Sequence, residues 1–231
     1  MIDYHLKSKP DAPAIRLDAS VLQPAGWLIE QLTTDDIAAI TVQTDHRPRR
    51  LDELFDIDQT AINDPTRSDT PARLTIQPGP LVLDRLGAAG ANARTGMAAG
   101  WIHVRGDAGN MIGHRMRRGT ILIDGNVGTG CGATMTAGTI VVAGSFAHDA
   151  GLCLMDGSKR GTLVLSTKPN LPPDRFTRPV TTDAVWANLL SATCPASPVK
   201  DLLHRLATSG ANTSRGDLAN QGQCEILWPH P

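Results

Sequence analysis

The chain has 231 residues, 41% of them hydrophobic, which is enough for a packed core and too apolar for a disordered protein. Aromatic residues make up 3% and glycines number 22, a balance that disfavours a sandwich with an aromatic core and suits many tight turns. A formal net charge of −1 supplies no basic field for nucleic acid, the polar start from Met1 to Pro13 is unlike a secretory leader, and no apolar run approaches the ~18 residues of a membrane span, so a cytoplasmic protein is expected.

In chain order, the first segment is not repetitive. Thr33 to Asp36 followed by Ile37, Ala38, Ala39 and Ile40 predicts a capped short helix with acids at its positive end. Ile40 to Val42 predicts a short strand, and Leu51 to Phe55 a helical turn. These elements define a small α/β module over residues 1–70, expected to cap the open end of a repetitive segment.

Residues 71–166 carry that internal repeat. Gly100, Gly119 and Gly138 stand 19 apart, as do Gly106, Gly125 and Gly144, then Gly113, Gly132 and Gly151, and then Met97, Met116 and Met135. Leu83, Gly87 and Gly90 suggest a fainter earlier unit, each 19 before Ile102, Gly106 and Gly109. Gly161 to Leu165 suggests a late one, after a four-residue insertion around Ser158. Each unit holds one short alternating strand, such as Trp101 to Arg105. One such strand cannot bury its apolar face alone, whereas stacked units can. Stacking predicts an inner column of Ile102, Ile121, Ile140 and Leu163 and another of Val104, Ile123, Val142 and Leu165. Outward, His103, Leu122 and Val141 form a ladder flanked by Trp101. The next outward column brings Arg105 beside Asp124 as a candidate ion pair. The ladder is apolar surface, to be covered by the chain's own flanking segments or to serve as an interface with a partner. The fold class is therefore mainly β: a parallel β-helix with a 19-residue coil, a small N-terminal α/β cap and a partly helical C-terminal extension. The period differs from the 18 of three hexapeptides, which disfavours the left-handed acyltransferase type.

The extension covers residues 167–231. Its Pro-rich stretch 167–182 predicts an extended crossing segment. Asp183 to Leu190 and Pro198 to Ala207 have helical apolar spacing, and Arg215 to Leu227 returns to turns and a terminal strand.

With these segments in place, the whole chain resembles one family. Ile15 to Pro24, Leu32 to Ile37 and Leu51 to Ile57 look like the N-terminal module of the formylmethanofuran dehydrogenase C-subunit family. The glycine repeat looks like that family's β-helix, which is shared with the C-terminal domain of glutamate synthase. Gly216, Asp217, Leu218 and Ala219, with Gly222 and Glu225 to Leu227, resemble the ending of the bacterial version in the formyltransferase/hydrolase complex. The short clean array, and arginine as 17 of the 22 basic residues, favour that version over a tungsten or molybdenum dehydrogenase. The resemblance implies a right-handed coil. It also implies a non-catalytic structural subunit beside a formyltransferase subunit, an amidohydrolase-like hydrolase subunit and one further subunit. Together these pass formyl from a tetrahydromethanopterin carrier to a methanofuran-like carrier and hydrolyse it to formate. The carrier and the metal are expected in the partner subunits, with no cofactor bound by this chain alone. Nucleic acid and membrane are not expected partners. The other readings are a free-standing β-helix carbohydrate or acyl-transfer enzyme, and a detached glutamate-synthase-like spacer.

The residues themselves carry little chemistry. The seven histidines show no i, i+2 or i+4 pairing for metal, and G-x-S-x-G and P-loop patterns are absent. Cys131, Cys153, Cys194 and Cys224 lie far apart and are expected as reduced thiols. His148 with Asp149 suits a turn better than a general-base pair. Arg215, Gly216 and Asp217 match an adhesion tripeptide by chance. The basic cluster His114, Arg115, Arg117 and Arg118 is either a solvated corner or a contact for an acidic partner or a polyglutamyl carrier tail.

Overall fold

The computed structural model describes residues 2–6, 16–22, 41–44, 47–59, 73–78, 82–88, 96–147 and 154–230. Gly90, the helix expected near Thr33, the His148–Asp149 pair, Gly151 and Cys153 lie outside them.

The repeat strands are β8 (Trp101–Val104), β9 (Thr120–Ile123), β10 (Thr139–Val142) and β11 (Thr162–Leu165). They pair in parallel, with Ile102 beside Ile121, Ile121 beside Ile140, and Ile140 beside Leu163. Both inner columns thus form in the expected register, and all eight side chains are fully buried. The units also bond to one another beyond the strands. Gly125 donates to Gly106 at 2.9 Å, Gly128 to Gly109 at 2.9 Å, and Gly132 to Ile112 at 2.8 Å. Met97, Met116 and Met135 fill the same interior, where unbranched thioethers adapt to the narrow space between turns.

Both flanks extend this sheet. At one end, β6 (Arg73–Gln77) joins β8, β1 (Ile2–Leu6) joins β6 in parallel, and β5 (Phe55–Gln59) closes antiparallel on β1. Between them, β3 (Thr41–Val42) pairs with β4 (Arg49–Arg50), followed by the expected helical turn α1 (Leu51–Leu54). At the other end, β14 (Cys224–Pro229) adds in parallel to β11, and β13 (Ala211–Gly216) and β12 (Val180–Thr182) continue antiparallel. The result is one sheet of ten strands.

Two expectations about register need correction. Leu83 lies in β7 (Val82–Asp84), which pairs with β2 (Arg16–Asp18); its carbonyl accepts from Gly109 at 2.9 Å, and the neighbour of Ile102 is Leu74. The cause is an insertion. Met116 bonds back to Gly113 three residues earlier, whereas Met97 bonds back to Gly87 ten residues earlier, so seven extra residues intervene. The four-residue insertion is also earlier than Ser158. Gly132 bonds to Ile112, an offset of 20, and Met155 to Cys131, an offset of 24, so the extra residues fall between Ala147 and Met155.

At the corners, Gly113 and Gly132 occupy equivalent positions at φ +66 and +72. A Cβ on Gly132 would strike the Met155 thioether and lie 3.1 Å from that of Met135. Gly132→Val is therefore expected to lower stability by about 1–3 kcal/mol, from left-handed strain and crowding together. The urea midpoint checks this, and an unchanged midpoint would contradict the corner geometry.

The helices α2 (Val185–Thr193) and α3 (Pro198–Ser209) match the expected apolar spacing. Ser197 caps α3 by accepting from Lys200 at 3.4 Å, and Pro198 opens its first turn. Val199, Leu202, Leu203 and Leu206 point inward, onto the outward ladder of the repeat.

Candidate functional site

Leu122 and Val141 are 1% and 0% exposed, and the ladder continues through Val164 to Leu227 beneath α2 and α3. The expectation that Leu122 and Val141 face a partner is corrected: the chain's own helices cover them, because an apolar column of this length is cheapest to bury intramolecularly. Trp101 packs half-buried at the margin of the same cluster. His103 is buried too, with Nε2 3.0 Å from Asp124 Oδ2. The expected Arg105–Asp124 pair is replaced by this contact. Asp124 instead turns toward the first turn of α3, where Oδ1 accepts from the Val199 amide at 3.4 Å and meets the positive end of the helix. The side chains of His103 and Asp124 are 8% and 12% exposed, so this His–Asp pair supports packing beneath α3 and is poorly placed to meet a substrate.

The basic corner is on the surface. Arg115, Arg117 and Arg118 are exposed, and none forms an ion pair with a described residue. Arg117 and Arg118 both donate backbone N–H bonds to the Met97 carbonyl, at 2.8 and 3.2 Å, which fixes the corner against the preceding turn. Arg115 holds φ +58 and donates to Ala133 at 3.0 Å. His114 is half-buried beside it. Burial, then the charges of Arg115 and Arg85, push its pKa below the ordinary value and favour neutral imidazole. Arg85 in turn lies 3.6 Å from Asp18.

Two cations missed by the sequence reading join this corner. Lys159 donates to Met135 at 2.9 Å as Thr136 donates to Met116, so Lys159 and Arg160 stand in register with Thr136 and Ala137, and with Arg117 and Arg118 one turn further back. The four-residue insertion hides this from a search at period 19. Aligning Gly161 on Gly138 recovers it.

A third cluster was also unseen. Asp217 is fully buried and accepts from Arg175 Nε at 2.9 Å, from Arg175 Nη2 and from the Gly157 amide at 3.0 Å. Arg175 Nη2 also donates to Asp156 at 2.5 Å. The hydrogen bonds from Arg175 hold the Asp217 carboxyl at about 2. The adhesion-like tripeptide is thus inaccessible as such, with Asp217 buried and Arg215 bonded to Glu225 at 2.9 Å. Nearby, an open cleft of about 530 Å³ lies between the Pro-rich segment and Trp228, with Lys168 and Arg178 among its lining residues. Its Ser214 hydroxyl donates to the Thr177 carbonyl at 2.6 Å.

Cys131, Cys194 and Cys224 are buried free thiols, and burial pushes Cys131 and Cys224 up to about 12, far from thiolate reactivity. Among the described residues no three His, Cys, Asp or Glu side chains are grouped to hold a metal, and no helix is long and apolar enough to cross a membrane.

No family model matches the chain, and no curated protein does. One solved structure similar to it is a chain of the formyltransferase/hydrolase complex from Methylorubrum extorquens, crystallised with methylofuran. The identity is 21%, over 99% of this chain and 100% of that one, with a TM-score of 0.49. At that score the likeness carries no functional weight, and the functional reading rests on residues.

Proposed function

We propose that the chain is a right-handed parallel β-helix acting as a non-catalytic structural subunit of a formyltransferase/hydrolase complex. In that complex, formyl-tetrahydromethanopterin is converted to formate in the cytoplasm through a formylated methanofuran-like carrier. Residues 1–70 would cap the coil of 71–166, and 167–231 would flank it. The observation that carries this reading is how the repeat uses its polar side chains. Asp107 Oδ1 accepts from the Asn126 amide at 2.7 Å, and Asn126 Oδ1 accepts from Ser145 at 2.8 Å, each across one 19-residue step. Asp84 accepts likewise from the Asn110 amide at 2.7 Å across 26 residues, and Asn110 from the Thr129 amide at 3.0 Å across 19. Side chains that an enzyme would aim at substrate are here bonded to the next turn of the scaffold. The motifs at Ile15 to Pro24, Leu51 to Ile57 and Gly216 to Leu227 attach that scaffold to the C-subunit family.

On this reading a formyltransferase subunit and an amidohydrolase-like subunit, with its metal, supply the chemistry. His114, Arg115, Arg117 and Arg118 contact the acidic carrier or an acidic partner. The test is native copurification of the tagged chain, with its companions identified, and an assay of the chain alone. Formyltransferase and hydrolase subunits should copurify, and the chain alone should neither transfer nor hydrolyse formyl. Turnover by the pure chain that survives a chelator and is lost on substituting His103 or His148 would overturn the proposal.

A further inference from the structure

We propose that the basic corner is a docking track for an extended acidic segment of a partner protein, lying along the direction in which the units stack. This rests on the reading of His114 to Arg118 as a contact surface and extends it to Lys159 and Arg160.

Register carries the inference. Arg117, Thr136 and Lys159 form one column, and Arg118, Ala137 and Arg160 the next, held by the backbone bonds from Thr136 to Met116 and from Lys159 to Met135, both 2.9 Å. Equivalent positions two strands apart are separated by about 9.6 Å, twice the ~4.8 Å strand spacing. An extended segment in the polyproline II conformation has about three residues per turn and advances about 3.1 Å per residue, so its residues i and i+3 share one face about 9.3 Å apart. Acids at i and i+3 of such a segment therefore meet both cation pairs together. Acids with the same i, i+3 spacing on a helix lie only about 4.5 Å apart along its axis and reach one pair at a time.

The space between the pairs suits such a segment. Thr136 and Ala137 are small and uncharged, while all four cations are exposed. The columns hold Ala98 and Ala99 on the preceding turn and Gly222 and Gln223 on the next one, so no acid lies in these columns among the described residues. Asp156, on the same turn as Lys159 and Arg160, is already engaged by Arg175, and Glu225, on the next, by Arg215. Adjacent like charges, Arg117 beside Arg118 and Lys159 beside Arg160, repel one another until an anion arrives. The whole chain carries a net charge of only −1, so this is local recognition of carboxylates and gives no long-range pull on a polyanion.

The experiment is an anisotropy titration of the full chain with a fluorescein-labelled peptide. Its glutamates sit at i, i+1, i+3 and i+4 in an Ala/Ser background. The comparison probes are a peptide of equal composition with clustered glutamates, and an oligothymidylate. The spaced peptide should bind best, and binding should fade as salt rises. Replacing Arg117 and Arg118 by Gln, or Lys159 and Arg160 by Gln, should each weaken it by about five- to tenfold. Melting midpoints should not move, because all four side chains are exposed. No binding, dependence on one pair only, or equal or tighter binding of either comparison probe would overturn the track. If native copurification still succeeds, only the track fails; if copurification fails while the spaced peptide binds, the structural-subunit reading fails and the track stands.

Discussion

Arg175→Ala should cost the chain about 3–5 kcal/mol at pH 7, because it leaves Asp217 as a buried charge without its partner. Asp217 has no exposed surface, and its remaining donors, the Gly157 amide and the Asn220 side chain, are neutral. The pH dependence gives a second readout. Hydrogen bonds from Arg175 are the largest cause of the Asp217 carboxyl standing at about 2 against an ordinary 3.8. The folded pKa is below the unfolded one, so the stabilisation is complete above the unfolded value and is lost as pH falls through about 2. A shift of that size corresponds to roughly 2–3 kcal/mol. The deficit of Arg175→Ala should therefore shrink on acidification, since the unpaired carboxyl in the variant takes up a proton earlier. Urea midpoints at pH 7 and near pH 3 test this. A deficit of equal size at both would mean that the arginine acts through packing alone.

Leu122→Glu should be at least as damaging, about 4 kcal/mol or more, and the variant is expected not to fold. The leucine is buried in the column beneath α2 and α3, between His103 and Val141, where a carboxylate is cut off from water. Leu189→Glu is the matched control. Leu189 is 74% exposed on α2, so the same change there should alter stability by no more than about 0.5 kcal/mol. A soluble, cooperatively melting Leu122→Glu chain would show that the helices do not sit on the ladder.

The legible part of the fold was the part with short-range periodicity. Strict alternation in Trp101 to Arg105 and its copies fixed which side chains turn inward, and the constant step of 19 fixed the register of β8, β9 and β10. The helices α2 and α3 were legible for the same reason, since apolar spacing near 3.6 is a local signal. Register failed where the chain lengthened. Seven extra residues before Met97 placed Leu83 outside the ten-stranded sheet, in the pair β2–β7, and four extra residues after Ala147 separated Lys159 and Arg160 from the cations they join. A loop adds length without a pattern of its own, so only the paired strands on either side reveal its size.

The sequence by itself determined the repeat with its recurrent glycines, the inner columns of Ile, Val and Leu, and a basic cluster at His114 to Arg118. Each arises from residue type at fixed spacing. Only the tertiary structure decided what covers the outward ladder, that Asp124 pairs with His103 and α3 in place of Arg105, and that Arg175 reaches Asp217 across 42 residues. The physical reason is common to all three. A helix covering a sheet, or a carboxylate choosing between two cations, is settled by which groups burial brings together and strips of water, and sequence spacing carries no record of that distance.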